Sequence, residues 1–297
     1  CTQWASLIGG SMGKVFVVLA AIFLVNFSWA GDSELEIFGG TKVQDSEHPY
    51  VLALDGCTGF VVHENVIATA AHCFQSKGID KNSRYLSAGN SYHGDRRKSL
   101  LIKEVYIHPW YQKKSVYDIA FIEVKPNLKE KFHIEEIPSF FLGEESEYFY
   151  LEALKPQVLA VGYGRSEKSR RQLKNKVFLD LKGFYFDIKS KKSETMGKWN
   201  KSVAEKYSLL PSVVVHSWLI QDTCKGDSGG PQMIQVDGKY QYLSLTMGGG
   251  DVCGKGTDPG VYRLIYPSIC QFPDLINKYF RGKIGSSCEA VRYRVEL

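Results

Sequence analysis

The hydrophobic positions beyond residue 36 fall into short runs of β-branched and aromatic residues. Examples are YVLAL, FVVHENVIATAA, DIAFIEV and QVLAVGYG, which are separated by Gly, Asn and Pro. Runs of this length, bounded by turn residues, indicate strands rather than alternating strands and helices. One stretch near the C-terminus, YPSICQFPDLINKYF, predicts a helix. The pattern therefore predicts an all-β sandwich or barrel with a C-terminal helix.

Composition agrees with this prediction. The 297 residues are 44% hydrophobic and 13% aromatic, and they include 28 glycines and 10 prolines. Such a chain can bury a sizeable core, and its turn residues suit a β protein better than a helical one. The net charge of +5 is small for this length. We therefore predict no nucleic-acid partner.

The N-terminal segment has the features of a secretory signal. After Met12, one lysine precedes an apolar stretch at 15–27, and Ala30 occupies the small-residue position before a cleavage site. The apolar stretch is too short for a comfortable membrane span. We expect residues 1–11 to lie upstream of the initiator and residues 12–30 to form a signal peptide. The product is then predicted to be secreted and extracellular, with no membrane partner.

Secretion allows the cysteines to be interpreted as disulfides. If Cys1 precedes the initiator, an even number of cysteines remains, and this predicts three bridges in an oxidising compartment. The sequence alone leaves their pairing open. No Cys-x-x-Cys or His-x-x-x-His pair occurs, so neither a metal site nor a cofactor is predicted. The six cysteines are Cys57, Cys73, Cys224, Cys253, Cys270 and Cys288.

The segment DTCKGDSGGP at 222–231 places Ser228 among several glycines. Glycine has no side chain to block a ligand, so the hydroxyl and nearby N–H groups are accessible. A serine is a weak nucleophile unless a base takes its proton, and a buried carboxylate best orients that base. His72 in TAAHCF and Asp118 in DIAFIEV are the candidates. Taken singly, each of the three is more often a turn, surface or capping residue.

Taken together and in chain order, TAAHC, DIAFIEV and GDSGGP resemble the motifs of trypsin-like (chymotrypsin-fold) serine peptidases of the S1 family. IFGG, VGYGRS and PGVY extend the likeness from Ile37 to about Phe280. The resemblance implies two antiparallel six-stranded β-barrels, at roughly 37–140 and 155–280, in a peptidase domain at 37–297 that ends in a C-terminal tail.

The same resemblance implies the chemistry of the cleft. His72, Asp118 and Ser228 would form a catalytic triad, and the N–H groups of Gly226 and Ser228 would form the oxyanion hole. The remaining six histidines are expected to be structural.

The resemblance also gives Asp222 a role. In the family, the residue six positions before the nucleophile lies at the floor of the primary specificity pocket, where a carboxylate pairs with Arg or Lys. Glycines at the positions of Gly248 and Gly260 would leave the pocket wall open. Cleavage after Arg or Lys is the expectation. The alternative is a surface aspartate, because Thr246 and Met247 replace the serine and tryptophan usual in the family.

A second carboxylate, Asp227, is implied to act in activation. In the family, a newly formed N-terminal amine pairs with this buried group. Here the amine would belong to Ile37, after a short propeptide at 31–36. Since that propeptide ends in Glu36, where most relatives have Arg or Lys, we expect an unusual activating protease or inefficient activation.

The resemblance implies the disulfides Cys57–Cys73 and Cys224–Cys253, with Cys270 and Cys288 as the remaining pair. The chain is longer than usual between the acid and the nucleophile, and the excess lies at about 184–205. The segment 165–201 contains twelve Lys or Arg and four Asp or Glu. It is either a solvated loop or a surface for an anionic partner. Asn200 begins a glycosylation acceptor.

Two functions from different classes remain. The first is a secreted, monomeric serine endopeptidase that hydrolyses protein or peptide substrates and is subject to protein protease inhibitors. The second is a non-catalytic homologue that uses the same fold as a binding or regulatory module. Glu36, the altered strand around Thr246 and the basic excess favour the second hypothesis. The complete set of triad and oxyanion motifs favours the enzyme.

Overall fold

Strands dominate the architecture, as the hydrophobic pattern predicts. The computed structural model describes residues 39–44, 46–75, 78–90, 97–108, 111, 117–143, 150–151, 153–154, 156–164, 174–185, 213–216, 222–248, 261–285 and 287–288. All of them belong to a unit that spans Leu35–Leu297.

Six strands in the first half of this unit close into an antiparallel barrel. The strands are β2 (Val51–Ala53), β3 (Thr58–His63), β4 (Val66–Thr69), β5 (Tyr85–Gly89), β6 (Arg97–Ile107) and β7 (Ala120–Lys125). Their order around the barrel is β2-β3-β4-β7-β6-β5.

The second half forms a larger sheet, in which the pairing of β9 with β10 closes six strands into a ring. The short strand β1 (Thr41–Lys42) adds to β10, and β8 (Ser139–Phe140) pairs in parallel with β13. The six ring strands are β9 (Gln157–Gly162), β10 (Asn175–Tyr185), β11 (Val213–His216), β12 (Pro231–Val236), β13 (Lys239–Gly248) and β14 (Val261–Leu264). The predicted all-β fold with two barrels is confirmed.

A shared core holds the two barrels together. Every residue of β4 is buried, so both faces of this strand are covered. Phe60 of β3 packs against Tyr242 of β13, with ring centroids 4.6 Å apart. The Tyr242 hydroxyl donates a hydrogen bond to the carbonyl oxygen of Val61 at 2.9 Å. The interface therefore combines apolar burial with satisfied polar groups, which fixes the barrels relative to each other.

The predicted C-terminal helix is present but interrupted. α2 (Ile265–Ile269) ends before Phe272, and the chain resumes in α3 (Pro273–Leu275), a π-helical turn (Ile276–Phe280) and a helical stretch at 281–285. The break has a local cause, because Pro273 disfavours helical dihedrals at the preceding residue, whose φ and ψ are −116° and 78°.

A short helix that the sequence does not predict, α1 (Leu128–Phe132), follows the first barrel. It is only five residues long, too short for a periodic pattern to indicate it. The Asn127 side chain caps it by accepting a hydrogen bond from the N–H of Lys129 at 2.9 Å.

Candidate active site

The fold brings His72 and Asp118 together from neighbouring strands. His72 lies in a 3₁₀ turn (Ala71–Phe74) directly after β4, and Asp118 lies just before β7. Thr69 pairs with Ala120 where these two strands meet. The Asp118 carboxylate therefore reaches the histidine twice. Its Oδ2 is 2.6 Å from the ring Nδ1 of His72, and its Oδ1 accepts a hydrogen bond from the backbone N–H at 2.7 Å.

The pair has an asymmetric environment. The side chain of Asp118 is 7% exposed, whereas that of His72 is 32% exposed and can reach a ligand. Burial opposes the charged form of the ring, but the hydrogen bond and the charge of Asp118 outweigh it and raise the pKa of His72 above its ordinary value. A contact that favours the imidazolium is what a general base needs, because the base carries a proton during the reaction.

A disulfide fixes the turn that carries the histidine. Cys57 and Cys73 are bonded with an S–S length of 2.03 Å, as the family resemblance implies. These two cysteines and His72 are also the one cluster of metal-ligating atoms found among the described residues. Since both sulfurs are in a disulfide, no thiolate is available there, and the cluster does not fit a metal ion.

The segment 224–230 surrounds Ser228, and we call it the oxyanion loop after the role that the family resemblance implies for it. It begins with a tight turn in which the N–H of Asp227 donates to the carbonyl of Cys224 at 2.9 Å. The third residue of this turn, Gly226, has a φ of 105°, a value that a type II turn requires and that glycine adopts readily. The N–H of Gly230 then donates to the carbonyl of Asp227 at 2.8 Å. The serine is thus held in consecutive hydrogen-bonded turns.

Close packing places this loop against the turn that carries the histidine. A Cβ added to Gly229 would lie 2.6 Å from the backbone nitrogen of Ala70, two residues before His72. Glycine is therefore required at this contact. Ser228 is partly exposed, and no hydrogen bond to its hydroxyl occurs within the described parts of the chain. The loop and the histidine share one region, with the hydroxyl available at its surface.

The Asp227 carboxylate lies beneath the loop at 1% exposure. It accepts hydrogen bonds at 2.7 Å from the N–H groups of Gly164 and Cys224. Burial and, to a smaller extent, the charge of Asp222 raise its pKa to about 7, against the lowering effect of those two N–H groups. Its expected partner, the amine of Ile37, lies outside the described residues.

Asp222 itself is buried at 5% exposure, so it is not a surface aspartate. Gly248, on the expected pocket wall, has open space where a Cβ would lie.

Cys270 and Cys288 form a disulfide with an S–S length of 2.07 Å, as predicted. Cys224 is also disulfide-bonded. Several predicted features lie outside the described residues, namely Cys253 as the expected partner of Cys224, the pocket residue Gly260, the acceptor Asn200, the segment 186–205 and the N-terminal signal.

Two buried threonines at the site have no counterpart in the sequence predictions. Thr58 donates a hydrogen bond from its hydroxyl to the carbonyl of Gly226 at 2.8 Å, and Thr69 donates to the carbonyl of Thr58 at 2.9 Å. Threonine is ordinary in a strand, so its type gives no signal of such a contact. Only the packing of the two barrels reveals these residues.

Comparison with known proteins agrees with the geometry. The trypsin family model matches residues 37–269. The chain is 28% identical over 250 residues to vitamin K-dependent protein C of Rattus norvegicus, covering 78% of this chain and 50% of that protein. It is 23% identical over 289 residues to factor V activator of Macrovipera lebetinus, covering 91% and 98%. Transmembrane protease serine 11E of Mus musculus is 26% identical over 243 residues, covering 77% and 52%.

The chain thus spans about half the length of the rat and mouse relatives and nearly all of the snake relative. Although the mouse relative is named a transmembrane protease, none of the helices in the described ranges has the length and apolar character to cross a bilayer. The family match and the relatives support a serine-type endopeptidase. The chain belongs to the trypsin family of serine proteases.

Proposed function

We propose that the protein is a secreted endopeptidase that hydrolyses peptide bonds through Ser228, His72 and Asp118. The observation that carries this proposal is the double contact of the Asp118 carboxylate with the ring and the backbone of His72. A carboxylate held in this way fixes the ring orientation and leaves Nε2 free to accept a proton. A histidine with only a structural role does not require both contacts.

In the proposed reaction, the Ser228 hydroxyl attacks the carbonyl carbon of the scissile bond. His72 takes the hydroxyl proton and later gives it to the leaving amine, and water then repeats the sequence to release the acyl group. Asp118 keeps the proton-bearing Nδ1 in place and stabilises the imidazolium. The raised pKa of His72 has the sign expected for this role.

The negative charge that develops on the carbonyl oxygen of the substrate needs hydrogen-bond donors that are already oriented. We assign this role to the N–H groups of Gly226 and Ser228, since the turns of the oxyanion loop restrict both residues. One such donor commonly contributes about 3 kcal/mol to transition-state stabilisation.

For specificity, we propose cleavage after Arg or Lys, with Asp222 as the partner of the substrate cation and Gly248 and Gly260 along the pocket wall. The burial of Asp222 and the open space at Gly248 support this assignment. A guanidinium or ammonium group from the substrate would form a charge-assisted hydrogen bond with this carboxylate.

For maturation, we propose removal of residues 12–30 and 31–36, after which the amine of Ile37 pairs with Asp227. The mature domain at 37–297 would act as a monomer on protein or peptide substrates and would bind protein protease inhibitors. We also propose glycosylation at Asn200 and an anionic partner for the basic segment 165–201 and the insertion at about 184–205 that overlaps it.

The alternative is a non-catalytic homologue that binds partners through the same surface. One observation favours it: the Ser228 hydroxyl has no hydrogen-bond partner within the described residues. Catalytic hydrogen bonds often tighten only when substrate is bound, so this observation does not outweigh the His72–Asp118 geometry.

The test is hydrolysis of a peptide panel that differs only in the residue before the cut, by protein beginning at Ile37. Ser228→Ala is the control for the nucleophile, and Asp222→Asn is the control for the pocket. We expect Arg and Lys peptides to be cleaved, no cleavage by Ser228→Ala, and loss of the Arg and Lys preference in Asp222→Asn.

Other outcomes would change the assignment. Cleavage after other residues would overturn the pocket assignment and leave the triad. Absence of both cleavage and labelling by a fluorophosphonate, in protein with native circular dichroism, would overturn the enzyme in favour of the binding module.

A further inference from the structure

Thr58 contacts three segments that build the site, which are the oxyanion loop, the end of β9 and the strand β4 that leads to the histidine. It is the first residue of β3, directly after Cys57, and its exposure is 0%. The disulfide of Cys57 leads to Cys73, which adjoins His72. Thr58 therefore belongs to the first barrel but lies at its boundary with the second.

All hydrogen-bonding groups of Thr58 are engaged. Its N–H donates to the carbonyl of Ser228 at 2.9 Å, and its hydroxyl donates to the carbonyl of Gly226 at 2.8 Å. The hydroxyl oxygen accepts from the N–H of Tyr163 at 3.0 Å, and the Thr58 carbonyl accepts from the Thr69 hydroxyl at 2.9 Å. One fully buried residue thus connects the oxyanion loop, the end of β9 and the strand that leads to the histidine.

The hydroxyl contact fixes one peptide unit of the oxyanion loop at both ends. The carbonyl of Gly226 is bound by Thr58, while the N–H of Asp227, in the same peptide unit, is bound by the carbonyl of Cys224 at 2.9 Å. Glycine alone would allow this unit to rotate, because Gly226 lacks a side chain that limits its dihedral angles. The Thr58 hydroxyl supplies the missing restraint.

The backbone of Thr58 contributes to a second restraint. The carbonyl of Ser228 is bound by the Thr58 N–H, and the N–H of Gly229, in the same peptide unit, donates to the carbonyl of Thr246 at 2.7 Å. The proposed oxyanion donor, the N–H of Ser228, lies between these two restrained peptide units. Its orientation follows from theirs, since consecutive planar peptide units leave only two free dihedral angles at each residue.

We propose that Thr58 is a positioning residue for catalysis. Its hydroxyl holds the Gly226–Asp227 peptide unit in place, and the oxyanion donors therefore keep their orientation. This inference rests on the proposed function of the same site. Only Ser and Thr can both donate to a carbonyl and accept from an N–H through one hydroxyl at this location. Valine has the shape of threonine without that group, and would remove one buried hydrogen bond from the carbonyl of Gly226 and one from the N–H of Tyr163.

The experiment compares two matched pairs of variants at position 58. Wild type and Thr58→Val differ only in the hydroxyl, and so do Thr58→Ser and Thr58→Ala, which both lack the methyl group. The full chain, cut before Ile37 at an engineered protease site, is assayed for kcat and KM on the peptide that it cleaves best. Ser244→Ala is the control for the loss of a buried hydroxyl elsewhere, since this serine is fully buried and donates to Gln232 at 2.7 Å.

We expect kcat to fall about 100-fold when the hydroxyl is removed, with KM changed less than about threefold, because the oxyanion donors act mainly in the transition state. Thr58→Ser should keep kcat within about fivefold of wild type. Ser244→Ala should show wild-type kcat despite a lower melting temperature. Equal kcat in both members of each pair would overturn the inference, as would a loss in Ser244→Ala as large as that in Thr58→Val.

A second readout separates this inference from the proposed function. Amide hydrogen exchange is measured at 224–230 in the full chain, and we expect faster exchange in Thr58→Val and Thr58→Ala than in Thr58→Ser and Ser244→Ala. If wild type is inactive but exchange follows the hydroxyl, the proposed function fails and the positioning stands. If exchange at the loop does not change, the positioning fails whatever the activity. The Ser and Ala pair keeps the test decisive if Thr58→Val does not fold.

Discussion

The stability of the uncleaved protein should depend on pH through Asp227. This carboxyl is almost fully buried, and burial raises its pKa from 3.8 to about 7, against two N–H contacts that lower it. In the unfolded chain the group titrates near its ordinary value. The folded protein therefore binds a proton that the unfolded protein lacks at any pH between these two values.

The sign and the size of the pH effect on stability follow from this difference between the folded and unfolded pKa values of Asp227. A group that retains a proton on folding favours the folded state at low pH, and this contribution is lost as the pH rises towards 7. The interval from 3.8 to about 7 corresponds to about 4 kcal/mol, at about 1.4 kcal/mol for each pKa unit. The Asp227 contribution to the free energy of unfolding should thus fall by about 4 kcal/mol between pH 4 and pH 8.

The assay is urea unfolding of the uncleaved chain and of Asp227→Asn at several pH values. An asparagine cannot titrate, so its altered contacts add an offset that does not vary with pH. The difference between the two proteins isolates Asp227 from every other titrating group. A difference that stays constant within about 1 kcal/mol from pH 4 to pH 8 would refute the reasoning, because the two N–H groups would then fully compensate for burial.

Cleavage before Ile37 provides an internal comparison. If the new amine pairs with Asp227, the carboxylate is stabilised in its charged form and its pKa falls. The loss of stability with rising pH should then disappear in the cleaved protein and persist in the uncleaved one. An unchanged pH dependence after cleavage would argue against the proposed ion pair.

Two further predictions concern stability. Burial lowers the pKa of His48 to about 4, with the nearby Lys176 and Lys174 adding to the effect of burial and Glu47 opposing it, so the unfolded chain binds an extra proton between pH 6.5 and pH 4. As the pH falls over that interval, the free energy of unfolding of wild type should decrease by about 3 kcal/mol relative to that of His48→Asn. Asparagine is a suitable replacement because it tolerates the positive φ of 52° at this position. If urea unfolding gives the same difference between the two proteins at pH 6.5 and pH 4, the prediction is contradicted. Gly229→Ala should destabilise the protein by more than about 2 kcal/mol, because its Cβ would lie 2.2 Å from the Thr69 Oγ1 and its φ is 81°. Gly282→Ala is the control, because Gly282 lies in a helical stretch with open space for a Cβ, and it should raise the free energy of unfolding by about 0.5 to 1 kcal/mol. If denaturant unfolding gives equal effects for the two substitutions, the close contact at Gly229 does not cause the loss of stability.

Much of the fold could be predicted from local patterns. The segments YVLAL, DIAFIEV and QVLAVGYG each contain a strand, namely β2, β7 and β9. The helix near the C-terminus was predictable from its apolar spacing, although the break before Pro273 was not, because it depends on the dihedral angles of one residue. The five-residue helix α1 was not predictable, since it contains too few residues to show a period.

The sequence by itself determined which chemical groups are present and where strands and turns can form. It places an imidazole, a carboxylate and a hydroxyl in recognisable segments, and glycines where the backbone must turn or approach closely. Hydrophobic periodicity and turn chemistry are local properties, so they can be recognised without a structure. They indicate an all-β sandwich or barrel with a C-terminal helix, whereas the two barrels follow from the resemblance to the trypsin-like peptidases; neither gives an atomic contact between the barrels.

Only the tertiary structure decided how these groups meet. His72 and Asp118 are 46 residues apart and share two hydrogen bonds, because β4 and β7 are neighbours in one barrel. Thr58 and Gly226 are 168 residues apart and meet where the two barrels pack. The raised pKa of Asp227 likewise depends on burial by distant segments. Such contacts and desolvation arise from the packing of the whole chain, and no local pattern of residues specifies them.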